Sequence, residues 1–283
     1  MSRSGNKTSQ ILEAAEKGQY GVLAAIAYNV EHITAFVQAA ENRRSPLIIQ
    51  LFPSTLVQTP SLVHAAAAAA RTASVPIALH LDHAQDVNQI KEVVDNLPFD
   101  SIMVDMSHYE KEENLQRTAA LREYCHAKGI SVEAETGRIE GGEDGILDTG
   151  DLEGILTSPE DVEEFIRAGV DYLAPSVGNV HGDYGVKGPQ LDMDRLHNIF
   201  KALNGRVRLV LHGTNDFSPE LAKACIQAGV TKFNVNKLVL DPWHDYIRAN
   251  IHKPITQVID EGIDVLKRSM ERWMDIMGSS GKV

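Results

Sequence analysis

The sequence has only two cysteines, Cys125 and Cys225, far apart and each in a helical stretch. That excludes a disulfide framework and a CxxC metal site. It points instead to a reducing, cytoplasmic compartment. Positive charge is also scarce, with 27 Lys and Arg against 39 Asp and Glu, a net charge of -12. Such a surface repels nucleic acid and anionic membranes. An anionic substrate must therefore meet a locally positive site made by metal, Lys, Arg or backbone N–H groups. No apolar run reaches the roughly 18 residues of a membrane span. The opening MSRSGNKTSQ lacks the apolar core of a signal peptide. No Pro/Gly/Ser-rich linker divides the chain, so residues 1–283 are expected to form one domain.

What is present is a regular alternation. Short apolar, often β-branched runs are followed by helical patterns. The runs are GVLAAIAYN (21–29), PLIIQLF (46–52), VPIALHLDH (75–83), DSIMVDMS (100–107), GISVEAET (129–136), VDYLAPSV (170–177), RVRLVLHG (206–213) and VTKFNVN (230–236). Helices are expected at 31–42, in the Ala-rich stretch 64–71, and at 85–96, 111–128, 158–169, 191–200 and 218–229. Ser158 and Ser218 suit N-caps, each followed by Pro, and Gly169 and Gly229 suit C-terminal caps. The last 45 or so residues read as an amphipathic helical extension, about 238–279. Eight such units predict a (β/α)8 TIM barrel. A doubly wound sheet competes, but GxGxxG is missing after the first run.

A barrel places its chemistry at the C-terminal ends of its strands. Asp82 and His83 end run three, Asp105 run four, and Glu133 and Glu135 run five. His181 follows run six, His212 ends run seven, and Asn234 and Asn236 end run eight. Three imidazoles converging at the mouth, with one position left open, describe a catalytic Zn²⁺ site. Singly each His is weak evidence; their shared place at strand ends is the argument. Asp105 also suits a turn cap, and His80 suits a packed core residue.

These segments resemble the class II, zinc-dependent fructose-bisphosphate aldolases, including the tagatose-bisphosphate aldolases, over about residues 10–275. The motifs are LHLDHAQD, SIMVDMSHYEKEENLQRT, VEAETGRIEGGEDG and GNVHGDYGVKGPQLD. The resemblance implies a step of glycolysis and gluconeogenesis: fructose 1,6-bisphosphate cleaved to dihydroxyacetone phosphate and glyceraldehyde 3-phosphate. It implies His83, His181 and His212 as zinc ligands, with Asp105 and Glu135 at a second metal position. Asp82 becomes the acid/base at the hydroxyl of the breaking bond. Glu143 becomes the carboxylate exchanging a proton at the carbon that turns nucleophilic, carried on a flexible Gly-rich loop at about 137–157. Gly182, Gly213 and Asn234 are implied to hold the triose phosphate, with Thr214, Asn215, Asn236, Lys237 and Lys187 as further substrate contacts. A homodimer or homotetramer is implied, with Trp243 and Trp273 either at the contact or packed within the chain across the barrel bottom. A monovalent cation is left open.

Three departures stand out. Phe52 occupies the place of a serine that touches the triose, with Ser54 two residues on. HGTND (212–216) replaces HGGSG, which sets Asp216 near a phosphate unless it turns outward. NVNKL (234–238) puts Lys237 where the family has a small hydroxyl residue. The metal and acid/base set is therefore intact while the phosphate cradle is altered. Another ketose, such as tagatose 1,6-bisphosphate, is the alternative substrate. An amidohydrolase would need His-x-His after strand one, where this chain has AYNVEH. A barrel that binds without turnover would need neither Asp82 nor Glu143.

Overall fold

The computed structural model describes residues 5–142 and 152–283. Glu143 and most of the expected loop lie outside the described residues. Eight parallel strands close into a barrel in chain order. They are Val22–Ile26, Leu47–Leu51, Ile77–Ala84, Ser101–Val104, Ser131–Thr136, Tyr172–Pro175, Arg208–Leu211 and Val230–Val235. Each expected run contributes one strand. The strands are buried on both faces because helices cover the outside and side chains fill the inside.

The inside has two layers of different character. At the bottom, Val22, Ala24, Ile48, Ala78, Tyr172, Ala174 and Val210 pack with Ile11, Leu12 and Ala15 of the helix Lys7–Gly18. That helix closes the barrel bottom and is fastened by Ser9 Oγ to Tyr172 Oη at 2.7 Å and Thr8 Oγ1 to Ser101 Oγ at 2.9 Å. The pattern of apolar runs does not reveal it. Above this layer the interior turns polar, with His80, Asp82, Glu133, Glu135, His212 and Lys232 all buried. Buried charge of this kind persists only when paired or ligating.

Ser158 caps the helix Pro159–Ala168 through a reciprocal bond with Asp161, and Gly169 ends it at φ 85°. Ser218 likewise caps Pro219–Gln227. Asp216, at φ 61°, is exposed and turned away from the barrel. A short helix, Pro53–Gln58, follows strand two and holds the half-buried Ser54. The terminal region is two helices, Lys237–Asn250 and Ile255–Met277, separated where Pro254 forbids continuation. The second packs against the helix Val30–Arg43, burying Trp273. Trp273 is thus an intramolecular residue on the barrel's flank, while the N-terminal helix takes the bottom. No helix among the described residues is long and apolar enough to cross a membrane.

Candidate metal centre

Adjacent strand residues point to opposite faces. Asp82 and His83 nevertheless both reach the barrel mouth. The pairing of strands three and four explains how. Leu81 faces Ile102 and Ala84 faces Val104, so one extra residue is accommodated on strand three. His83 sits in that irregularity at φ 50°, a left-handed conformation uncommon for a non-Gly residue. The bulge re-aims the imidazole, and its strain is concentrated at a candidate ligand.

His181 arrives on a two-residue strand, Val180–His181, paired with Glu140–Gly141. Gly141 permits this approach: a Cβ there would lie 2.2 Å from the His181 carbonyl oxygen. Gly213 is as constrained, since its Cβ would meet the Val180 carbonyl oxygen at 2.3 Å. Tyr184 Oη donates to Gly213 O at 2.6 Å and accepts from Val180 N at 3.1 Å. Asn179 Nδ2 donates to His212 O at 3.1 Å. These ties fix His181 relative to His212.

The ligand atoms of His83, Glu135, His181 and His212 lie within 4.8 Å of one another, all buried. His212 Nδ1 is 3.1 Å from His83 Nε2 and 3.4 Å from His181 Nε2. Donors about 2.0–2.1 Å from one tetrahedral zinc stand roughly 3.3 Å apart, so the spacing fits. The outer nitrogens agree. His83 Nδ1 lies 2.9 Å from Asp105 Oδ2, and His212 Nε2 lies 2.8 Å from Glu133 Oε1. Each carboxylate assigns the proton to the outer nitrogen and turns a lone pair inward. The two inward nitrogens, 3.1 Å apart, need a cation between them, either a metal or a proton on one ring.

The electrostatics of the metal-free protein say the same. Burial lowers the His83 pKa, but Asp82 and Asp105 outweigh it and push it up to about 10. The site thus holds a proton where a metal would displace it. Burial, then the neighbouring His83 and His212, press His181 well below the usual range. Burial raises Asp82, yet His83, then His80, His212 and Lys232 around it, hold it well below the carboxylate range. Glu135 is pushed up to about 8 by burial and then by Asp105. Its Oε1 accepts from Ile139 N at 2.8 Å, while the buried Oε2 has no partner. Asp105 stands outside the four-ligand cluster. Its Oδ1 accepts from the Ser107 hydroxyl at 2.7 Å while Oδ2 holds His83.

A narrow cleft beside the centre is lined by Asp82, His83, His212, Thr214, Asn215, Asn234 and Asn236 among others. Asn215 Nδ2 donates to Gly182 O at 2.9 Å, and Asn236 Nδ2 to Tyr28 Oη at 3.0 Å. Phe52 is fully buried beside the centre, its ring 6.4 Å from that of His83. Lys237 is at the exposed rim, paired with Asp183 at 2.6 Å. Lys187 is exposed. Sequence reasoning marks Glu133 only as a strand end and misses Lys232 altogether. Alternation offers the signal, since 133 shares a face with 135 and 232 with 234.

The fold and site define a closed parallel barrel with a cluster of candidate metal ligands at its mouth. The pattern of the family Fructose-bisphosphate aldolase class-II matches residues 6–282, and the chain belongs to that family. A Coccidioides immitis protein, provisionally named a fructose-bisphosphate aldolase, is 48% identical over 99% of this chain and 96% of its own length. A crystal structure of a Coccidioides immitis protein with the same provisional name, 48% identical, superposes with a TM-score of 0.96, covering 99% of this chain and 98% of that one. The fructose-bisphosphate aldolase of Streptococcus pneumoniae is 33% identical over 96% of this chain and 97% of its own length. The YdjI aldolase of Escherichia coli K12 is 26% identical with a TM-score of 0.83, covering 97% of each chain.

Proposed function

We propose that the protein catalyses zinc-dependent, reversible aldol cleavage of fructose 1,6-bisphosphate to dihydroxyacetone phosphate and glyceraldehyde 3-phosphate. The observation that carries the reading is three buried imidazoles whose ring nitrogens converge to within 4.8 Å of one another, with an ionised carboxylate, Asp82, next in sequence to one of them. His83, His181 and His212 would hold the metal, with Glu135 and Asp105 serving a second position. When bound, the metal supplies Lewis-acid polarisation of the substrate carbonyl. Asp82 accepts the hydroxyl proton of the breaking bond, held in place by Asn234 Nδ2 at 3.0 Å. Glu143 exchanges the proton at the nucleophilic carbon. Gly182, Gly213, Thr214, Asn215, Asn234 and Asn236 orient the triose phosphate, with Lys237 and Lys187 as outer cations.

The setting we assign is a cytoplasmic homodimer or homotetramer in glycolysis and gluconeogenesis. The two cysteines are free and buried, which suits a reducing compartment. Phe52 favours a second reading, cleavage of a different ketose such as tagatose 1,6-bisphosphate. A side chain able only to pack replaces one able to hydrogen-bond beside the metal centre.

The test is cleavage of both ketose bisphosphates by the purified protein, before chelation, after it, and with zinc restored. Activity on the fructose compound that disappears and returns with zinc is expected. Activity on the tagatose compound alone would transfer the assignment to the second reading. Inactivity of folded, zinc-loaded protein on both would end both.

A further inference from the structure

Beneath the imidazoles lies a second acidic cluster. Ligand atoms of His80, Asp82 and Glu133 come within 4.8 Å of one another, all fully enclosed. By composition it resembles a cation site. The cation there is the protein's own. Lys232 is the one lysine buried among the described residues. Its Nζ donates to Glu133 Oε2 at 2.8 Å and to Asn234 Oδ1 at 2.8 Å.

An ammonium can only donate. That restriction imposes direction on everything it touches. Asn234 must turn its oxygen to Lys232, so its NH₂ faces Asp82, 3.2 and 3.0 Å from the two carboxylate oxygens. The reversed amide would set donor against donor. Glu133, held by Lys232 through one oxygen, offers the other to His212 Nε2 at 2.8 Å. That bond turns the His212 Nδ1 lone pair toward His83 and His181. One buried ammonium thus orders both the base and a metal ligand without touching either.

Resting on the reading that the three imidazoles hold a metal, we infer that Lys232 is the positioning residue of this centre. It orients His212 through Glu133 and Asp82 through Asn234. Removing it strands a buried carboxylate, the costly half of a broken ion pair. Glu133 then loses the partner that fixes its other oxygen, so its hold on the His212 ring loosens, and Asn234 is free to turn over.

The test compares zinc affinity, by competition with a chromogenic chelator, in wild type, K232M and the double variant K232M/E133Q. Loss of such outer partners typically weakens metal binding about 10- to 100-fold, and K232M is expected in that range. The double variant removes both charges, and the amide oxygen introduced by E133Q can still accept from His212. It should therefore recover most of the affinity. Melting temperatures are recorded alongside. A K232M protein that melts lower yet binds zinc as wild type does would make Lys232 merely structural and overturn the inference. So would a folded double variant binding no better than K232M. Should K232M not fold, the double variant decides: near-wild-type affinity supports the inference, and weak binding by folded protein refutes it. Wild type that binds no zinc would instead overturn the metal reading, and the inference with it.

Discussion

At the scale of single residues, Asp82 and His83 divide two tasks between adjacent positions. The bulge at His83 lets both serve one site. If Asp82 handles a proton and not the metal, the two functions separate on mutation. Asp82→Asn is expected to keep its zinc while turnover falls by about 10²–10⁴-fold, the usual worth of a positioned acid/base. Metal analysis beside steady-state kinetics checks this. Turnover within tenfold of wild type would remove Asp82 from the chemistry. The identities of these residues were legible because polar groups at successive strand ends stand out against apolar runs. Their supporting bonds were not. Lys232 reads as an ordinary charged strand residue until the closed barrel sets it opposite Glu133, 99 positions away. Glu135's free oxygen is likewise a fact of packing.

At the scale of elements, the strands were legible because each is an apolar run bounded by caps or glycines. The helix Lys7–Gly18 was hidden since its buried face is short, and Pro53–Gln58 because one and a half turns carry no period. How the outer helices meet was also hidden, and one such contact has a pH consequence. His32, in Val30–Arg43, is 1% exposed and meets Trp243 of the helix Lys237–Asn250 edge to face at 4.5 Å. Burial, then repulsion from His244, lowers its pKa to about 4. An unfolded His titrates near 6.5. Between pH 6.5 and about 4 the unfolded chain therefore binds more protons, and stability falls as pH falls. Above that window the ring is neutral in both states and contributes no slope. The full loss is about 3 kcal/mol, from the size of the shift. The unfolding free energy from urea titrations should drop further between pH 7 and pH 4 in wild type than in H32N, by up to that amount. Equal drops would mean that His32 titrates normally in the fold.

At the scale of the whole molecule, the question is whether the terminal helices are an extension or part of the barrel. The bonds favour the second. Gly21 N, just before the first strand, donates to Met277 O at 3.0 Å. Gly281 N and Lys282 N donate to Arg43 O and Arg44 O at 2.8 and 3.1 Å, and Ser45 Oγ donates to Ser279 Oγ at 2.8 Å. Leu266, Met270, Met274 and Met277 are buried in the same core as the outer faces of the strands. A helix so placed fills a gap in the barrel's helical ring, and its loss would bare apolar surface along Val30–Arg43. Truncation after Pro254 is therefore expected to abolish cooperative folding, with no smaller autonomous barrel left behind. The point variant Met270→Ala should lower stability by about 2–5 kcal/mol, as large-to-small core changes do. It should shift the urea midpoint at unchanged slope if the chain unfolds as one unit. Two resolved transitions, with the zinc-sensitive one untouched by Met270→Ala, would show instead that the terminal helices form a second domain. The single-domain expectation would then be wrong at the boundary near residue 237.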